Sequence, residues 1–228
     1  MNHNIEPITE ENVFVLDFTG LGSLPGDFSE EAQLLQETLG VYAQAIRVMH
    51  DKLGALKHEL VTSNLRCPIE AVKSRVKTPE SIAGKLAGRG FEVSVRSMVR
   101  NLDDIAGVRI ICPYIDDVYQ MVAHLQEMDG VQVLSRKDYI RSPKPNGYRS
   151  YHLILEIPVE DNTVKVEVQL RTIAMDYWAS VEHELKYKKS IINGAQISEE
   201  LRICAEELRK TEETMQQIRR KISGMLPA

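Results

Sequence analysis

Two stretches hold the residue types that do chemistry: Lys144-Pro-Asn-Gly-Tyr-Arg-Ser-Tyr-His152 and, fifteen residues after His152, Glu167-Val-Gln-Leu-Arg-Thr172. The first is a charged, aromatic, glycine-containing turn that runs straight into a strand pattern. The second places an ionisable Glu167 among apolar strand residues. A charge in a strand is costly unless it has a partner or a task. Asp104, within Asp103-Asp-Ile-Ala-Gly107, stands at the entry to a further strand pattern, Val108-Arg-Ile-Ile-Cys112. If those strands are neighbours, Asp104 and Glu167 converge on one hard cation, and Mg²⁺ prefers few protein carboxylates plus phosphate oxygens. Cations around them would hold a polyphosphate and neutralise charge developing on transfer. Each residue also has a plainer reading. Asp104 suits a turn or helix cap. Glu167 could face solvent on an edge strand, with Val164, Val166, Val168 and Leu170 as the buried alternate. Tyr148 could be an ordinary cross-strand aromatic, and His152 a satisfied structural histidine.

The elements that must position these groups follow from periodicity and punctuation. Residues 1–28 are acidic and broken by Gly20, Gly22, Pro25 and Gly26, which predicts a flexible extension, although Val13-Phe-Val-Leu16 could dock somewhere. Ser29 is a candidate N-cap for a long amphipathic helix reaching about residue 60, ended by Cys67-Pro-Ile69. Lys73 to Lys77 reads as a basic extended segment. Thr78-Pro79-Glu80 opens a second helix, with Ser81, Lys85 and Arg89 on one face; such a helix start is a natural phosphate cradle. A strand at 108–112, a helix at 115–128 and a strand at 131–140 follow. A hairpin joins 148–159 to 163–172, and helices span 175–188 and 197–222. The order α-α-β-α-β-β-β-α-α predicts an α/β (α+β) fold: one mixed β-sheet flanked by helices, with long helices at both ends. Residues 29–228 then form a single domain. Trp178, Met121 and Met128 belong to the core.

Composition excludes several classes. The 228 residues are 43% hydrophobic and 27% charged, as in ordinary globular chains. No apolar run approaches the roughly 20 residues of a membrane helix, and no signal-peptide pattern opens the chain. Cys67, Cys112 and Cys204 are far apart and lack metal-ligand spacing, which suits reduced, buried thiols in a cytoplasmic protein. The net charge is −5, yet residues 1–40 hold eight acidic residues and no Lys or Arg, while cations gather further on. That asymmetry predicts a focused anionic ligand rather than general nucleic-acid affinity.

Arg75-Val-Lys77, Asp104-Ile-Ala-Gly-Val-Arg-Ile110, Arg136-Lys-Asp-Tyr-Ile140, the two stretches above and Glu182-His-Glu-Leu-Lys-Tyr-Lys188 together resemble the synthetase domain of the RelA/SpoT family. The resemblance covers roughly residues 40–220 and is closest to the small alarmone synthetases of the RelQ type. It implies a nucleotidyltransferase-like fold. It also implies a reaction of the stringent response: transfer of the β,γ-pyrophosphate of ATP to the 3′-hydroxyl of GTP or GDP, giving (p)ppGpp and AMP. By the same resemblance Arg75 and Arg109 sandwich adenine, and Lys77, Ser81, Lys85 and Arg89 contact the ATP phosphates. Asp104 is the Mg²⁺ ligand. Glu167 is the second carboxylate, able to bind Mg²⁺ and to assist the acceptor hydroxyl. Tyr148 stacks on guanine; Lys137, Lys144 and His152 contact the guanosine phosphates; Gln169 and Asp176 shape the guanosine pocket.

The resemblance further implies a homotetramer, and the apolar stripes of the two terminal helices suit such packing. Members that bind an alarmone effector carry an aromatic near position 71; Ala71 has no ring, so weak or absent activation is expected. The pair His50-Asp51 resembles the hydrolase motif of long family members, but it lies on an amphipathic helix without other metal-spaced histidines, so synthesis without hydrolysis is expected. Two readings from other classes stand beside this one. RNA binding along the basic cleft, with Tyr139, Tyr148 and Tyr151 as stacking rings, would be secondary in a chain of low basicity. A noncatalytic scaffold of the same fold would need neither Asp104 nor Glu167.

Overall fold

Apolar residues recur at helical spacing from Leu35 to Leu60, and they build a helix that supplies Leu39, Tyr42, Ile46, Met49 and Leu53 to the core. The computed structural model describes residues 26–187 and 194–224. That first helix, α1, spans Gly26–Thr62, followed by β1 (Ala71–Val76), α2 (Pro79–Gly88), α3 (Val95–Asn101), β2 (Ala106–Cys112) and α4 (Ile115–Gln126). The chain continues through β3 (Gln132–Asp138), β4 (Tyr151–Val159), β5 (Asn162–Thr172), α5 (Ile173–Tyr187) and α6 (Gly194–Ile222).

The five strands form one mixed sheet in the order β1-β2-β5-β4-β3. Only β2 and β5 run parallel; every other neighbouring pair is antiparallel. Period-two alternation divides each strand between two faces. Val164, Val166, Val168 and Leu170 of β5 join Leu153, Leu155 and Ile157 of β4 and Val108 and Ile110 of β2 in the core. Residues of α1, α2, α3 and α4 join the same cluster. The intervening positions carry the polar groups onto the opposite face.

Several expectations need revision. The helix starts at Gly26, so Ser29 lies inside it and is not its N-cap, and residues 26–28 of the expected extension are helical. The rest of that segment, residues 1–25 with Val13 to Leu16, lies outside the described residues. The segment 73–77 is not merely extended; most of it belongs to β1, an edge strand of the sheet. Helix α3 was not expected; Ser94 caps it by accepting from the Ser97 N–H at 3.3 Å. Tyr148 precedes β4 rather than opening it, so it is not a cross-strand residue. Glu167 lies on a central strand, which removes the edge-strand reading.

Other expectations agree. Thr78 caps α2 by accepting from the Ser81 N–H at 3.3 Å, with Pro79 in the first turn. Trp178 is buried and donates from Nε1 to the Leu201 carbonyl at 2.8 Å, tying α5 to α6. Met121 is core, and Met128 packs partly buried against it. Cys67, Cys112 and Cys204 are free thiols, but only Cys112 is buried as expected; Cys67 is half-buried and Cys204, on α6, is exposed. Among the described residues no helix is long and apolar enough to cross a membrane.

Candidate active site

Strand register sets the polar face of the sheet in rows. One row reads Arg75, Gly107, Glu167, Ile154, Ser135 across β1, β2, β5, β4 and β3. The next reads Lys73, Arg109, Gln169, His152, Lys137. Gly107, with no side chain, leaves the floor open between Arg75 and Glu167. A single face thus brings together residues scattered over more than sixty positions of chain.

Asp104 sits just ahead of β2, facing α2. Its Oδ2 accepts hydrogen bonds from Lys77 Nζ and, at 2.5 Å, from Lys85 Nζ. Burial alone would raise this carboxyl, but the two lysines outweigh that and hold it below the usual range. Its other oxygen, Oδ1, is buried with no hydrogen-bond partner. A buried, unsatisfied carboxylate oxygen is costly and points to a group that would satisfy it. Burial also pulls the Lys77 ammonium down, with Asp104 opposing the shift.

Glu167 belongs to a closed circuit of side chains. His152 Nδ1 lies 3.3 Å from Glu167 Oε1, and Gln169 Nε2 donates to Glu167 Oε2 at 2.8 Å. His152 Nε2 and Tyr148 Oη are hydrogen-bonded at 2.8 Å. Arg171 Nη2 donates to both Tyr148 Oη and Gln169 Oε1, each at 2.8 Å, which closes the ring. Burial would raise the Glu167 carboxyl and the Asp104 charge adds to that, but the His152 and Gln169 contacts prevail and hold it low. Glu167 is therefore a carboxylate at neutral pH.

The loop that carries Tyr148 is pinned from outside. Gly147 has φ +88°, and a Cβ there would lie 2.7 Å from the Ala205 Cβ of α6. Only glycine meets both conditions. Arg149 is buried and donates to Glu212 Oε2 at 2.5 Å, and Thr172 bonds the other oxygen of Glu212. Tyr148 presents its ring between cations: Lys144 Nζ lies 4.8 Å from the ring centroid and Arg171 Cζ 5.2 Å.

A cavity of about 300 Å³ opens over this face. Its walls include Lys85, Arg89, Asp104, Lys137, Lys144, His152 and Glu167, all seven from the predicted set. Ser135, Tyr139, Asp103 and Ile154 complete it. Arg75, Lys77, Ser81, Arg109, Tyr148, Gln169 and Asp176 are not in its wall. Arg75 and Arg109 lie in neighbouring rows beside it. Ser81 is occupied at the α2 N-terminus, its Oγ accepting from Thr78 Oγ1 at 3.0 Å. Arg89 lies just past the end of α2, at its C-cap, and donates to the Asn101 carbonyl at 3.4 Å. Asp176 is held by Lys73 (3.0 Å), Arg109 (3.0 Å) and Arg171 (3.2 Å). His50 pairs with Ser74 Oγ at 3.0 Å, tying α1 to β1. Among the described residues no group of three or more His, Cys, Asp or Glu is placed to hold a metal. A cation here would rest on two carboxylates and on ligands brought by the substrates, which is how Mg²⁺ is usually held.

The family model described as "Region found in RelA / SpoT proteins" matches residues 74–192, a span that contains Asp104, Glu167 and the whole cavity wall. The chain belongs to the RelA/SpoT family. It is 42% identical to GTP pyrophosphokinase YwaC of Bacillus subtilis, covering 80% of this chain and 89% of that one. GTP pyrophosphokinase YjbM of the same organism is 33% identical over 78% of this chain and 85% of its own length. The crystal structure of small alarmone synthetase 1 from Bacillus subtilis bound to its product pppGpp superposes with a TM-score of 0.76 at 31% identity, covering 84% of this chain and 99% of that one. Small alarmone synthetase 2 from Bacillus subtilis superposes at 0.73 with 40% identity, covering 82% and 98%.

Within this RelA/SpoT chain, the sequence assigns no role to Lys73, Ser135 or Arg171, and to Tyr139 only that of a stacking ring for RNA. A signal existed for two of them. Lys73 lies two residues from Arg75, and Arg171 two from Gln169, so each shares its neighbour's face of the sheet.

Proposed function

We propose that this chain is a (p)ppGpp synthetase, transferring the β,γ-pyrophosphate of ATP to the 3′-hydroxyl of GTP or GDP. The observation that carries this is the pairing, in one cavity, of two carboxylates with separate cation clusters. Asp104 stands with Lys77 and Lys85; Glu167 stands beside His152, which bonds Tyr148, whose ring lies against Lys144. The first cluster suits a polyphosphate donor and the second an aromatic base with its own phosphates.

Asp104 and Glu167 would hold Mg²⁺, and the buried, unpartnered Asp104 Oδ1 fits that assignment. The ion would supply charge neutralisation on the transferring phosphoryl oxygens. Arg75 and Arg109, on adjacent strands, stack on adenine; Lys77, Ser81, Lys85 and Arg89 hold the triphosphate. Tyr148 stacks on guanine, Lys137, Lys144 and His152 hold the guanosine phosphates, and Gln169 and Asp176 shape that pocket. The acceptor 3′ oxygen bonds to the β-phosphorus of ATP as the bond from that phosphorus to the α,β-bridging oxygen breaks. AMP leaves with that oxygen. The hydroxyl proton passes to Glu167, with His152 next in line at 3.3 Å.

The assembly is a homotetramer in this reading. Met215, Ile218 and Ile222 are exposed on one stripe of α6, at 52%, 44% and 82%, and a partner subunit would cover them. Ala71 on β1 leaves no ring for an effector, so product activation is weak or absent. Light scattering tests the assembly. Incubation with ATP, GTP and Mg²⁺ tests the reaction: AMP and a more highly phosphorylated guanosine product are expected together, and their absence overturns the proposal.

A further inference from the structure

Arg171 is a buried cation that the proposed chemistry does not use. Its side chain is 6% exposed on β5. A guanidinium is expensive to bury, and an apolar side chain would fill the same space at less cost. Its contacts are specific. Nη2 donates to Tyr148 Oη and Gln169 Oε1, Nη1 donates to Asp176 Oδ1, and its carbon lies 5.2 Å from the Tyr148 ring centroid. Each partner is a different kind of group, and two of them, Tyr148 and Gln169, bond in turn to His152 and Glu167 of the cavity wall.

We infer that Arg171 is a positioning residue that locks Tyr148 and Gln169 into a preformed platform and so sets affinity for the guanosine substrate. The inference rests on the reading of Tyr148 as the guanine-stacking ring. Tyr148 lies on a loop, and its ring orientation is fixed by its hydroxyl, which pairs with Arg171 and His152. Ordering that ring before the ligand arrives removes a cost from binding. Gln169 is fixed in the same way, its Oε1 held by Arg171 while its Nε2 reaches Glu167. The planar fork is essential, because one guanidinium reaches three partners and an ammonium on a flexible stem does not reproduce that geometry. Arg109, placed with adenine, makes its own ion pair with Asp176 at 3.0 Å, separate from the Arg171 contacts to Tyr148 and Gln169.

The test is steady-state kinetics of the full chain, varying each nucleotide in turn, for Arg171→Lys, Tyr148→Phe and Tyr148→Ala. Arg171→Lys should raise the KM for the guanosine nucleotide roughly tenfold, the effect of about one charge-assisted hydrogen bond, and leave the ATP KM unchanged. Tyr148→Phe keeps the ring but loses its hydroxyl, and should raise the same KM. Should Arg171→Lys not fold, Tyr148→Phe decides alone: a raised guanosine KM supports the inference and an unchanged one overturns it. If Tyr148→Ala raises the guanosine KM but Arg171→Lys does not, the platform stands and the role of Arg171 is overturned. If Tyr148→Ala leaves that KM unchanged, the platform reading fails and the inference with it. Equal rises in both KM values with Arg171→Lys would mean general disruption and would also overturn it.

Discussion

His152 Nδ1 lies 3.3 Å from Glu167 Oε1, on the strand directly beside it in the sheet. This contact, with the Gln169 amide on the other oxygen, keeps the Glu167 carboxyl ionised. Glu167→Gln keeps the shape and removes the charge. The rate of AMP release should fall by about 10²- to 10⁴-fold, the range for a group that moves a proton in the transition state. The melting temperature should change little. A carboxylate that must be ionised makes activity rise with pH through its pKa, and this one sits below its ordinary 4.5. Any acid limb due to Glu167 therefore lies below that value. A limb near neutral pH that Glu167→Gln removes would contradict this.

Asp104 is the other carboxylate, and its unpartnered Oδ1 is the feature that calls for a cation. Asp104→Asn leaves a neutral group facing Lys77 and Lys85. Activity should fall by at least about 10²-fold, as when a group that stabilises developing charge is lost. Binding of Mn²⁺ with a nonhydrolysable ATP analogue, followed by electron paramagnetic resonance, should weaken in parallel. Unchanged Mn²⁺ affinity would remove Asp104 from the metal site.

Gly147→Ala should harm both stability and acceptor binding. The φ of +88° and the 2.7 Å approach to Ala205 leave no room for a methyl group. Backbone strain of this kind costs about 1–3 kcal/mol. Denaturant unfolding should show that loss, and the guanosine KM should rise because Tyr148 moves with the loop. Wild-type values for both would show that the loop is not held against α6.

Asp176 gives the fold an acid sensitivity of known sign. Burial would raise its carboxyl, but the Lys73 hydrogen bond and the charges of Arg109 and Arg171 hold it below the ordinary 3.8. A carboxyl depressed in the folded state stabilises fully above its unfolded value, and that contribution fades as pH falls through the folded value. Wild-type stability should therefore drop below pH 3.8. Asp176→Asn should be less stable at neutral pH and lose less on acidification. Parallel pH profiles for the two proteins would contradict the assignment.

Much of this architecture was legible in the residues. The alternation of Val164, Val166, Val168 and Leu170 with Lys165, Glu167 and Gln169 dictates one buried and one polar face, and β5 has both. The Thr78-Pro79 start of α2 is equally local. What was hidden depends on distant partners. Lys73, Ser74 and Arg75 look like a polar connector because β1 is an edge strand paired on one side only. The short α3 buries only Val95 and Met98, too little to show a period. The loop around Tyr148 owes its shape to Ala205 and Glu212 of α6, contacts that no local pattern announces. The same holds for Arg171, whose partners Tyr148 and Asp176 flank it in the chain without any periodic relation to it.

Pyrophosphoryl transfer on a site made by Asp104 and Glu167 is tested by supplying ATP labelled at its γ-phosphate, together with GTP or GDP and Mg²⁺, and following label and adenine nucleotide together. The label should appear at the 3′ position of the guanosine product, with one AMP released per product, and both should form about 10²- to 10⁴-fold more slowly with Glu167→Gln. Release of ADP in place of AMP, or full-rate label transfer by Glu167→Gln, would contradict the account.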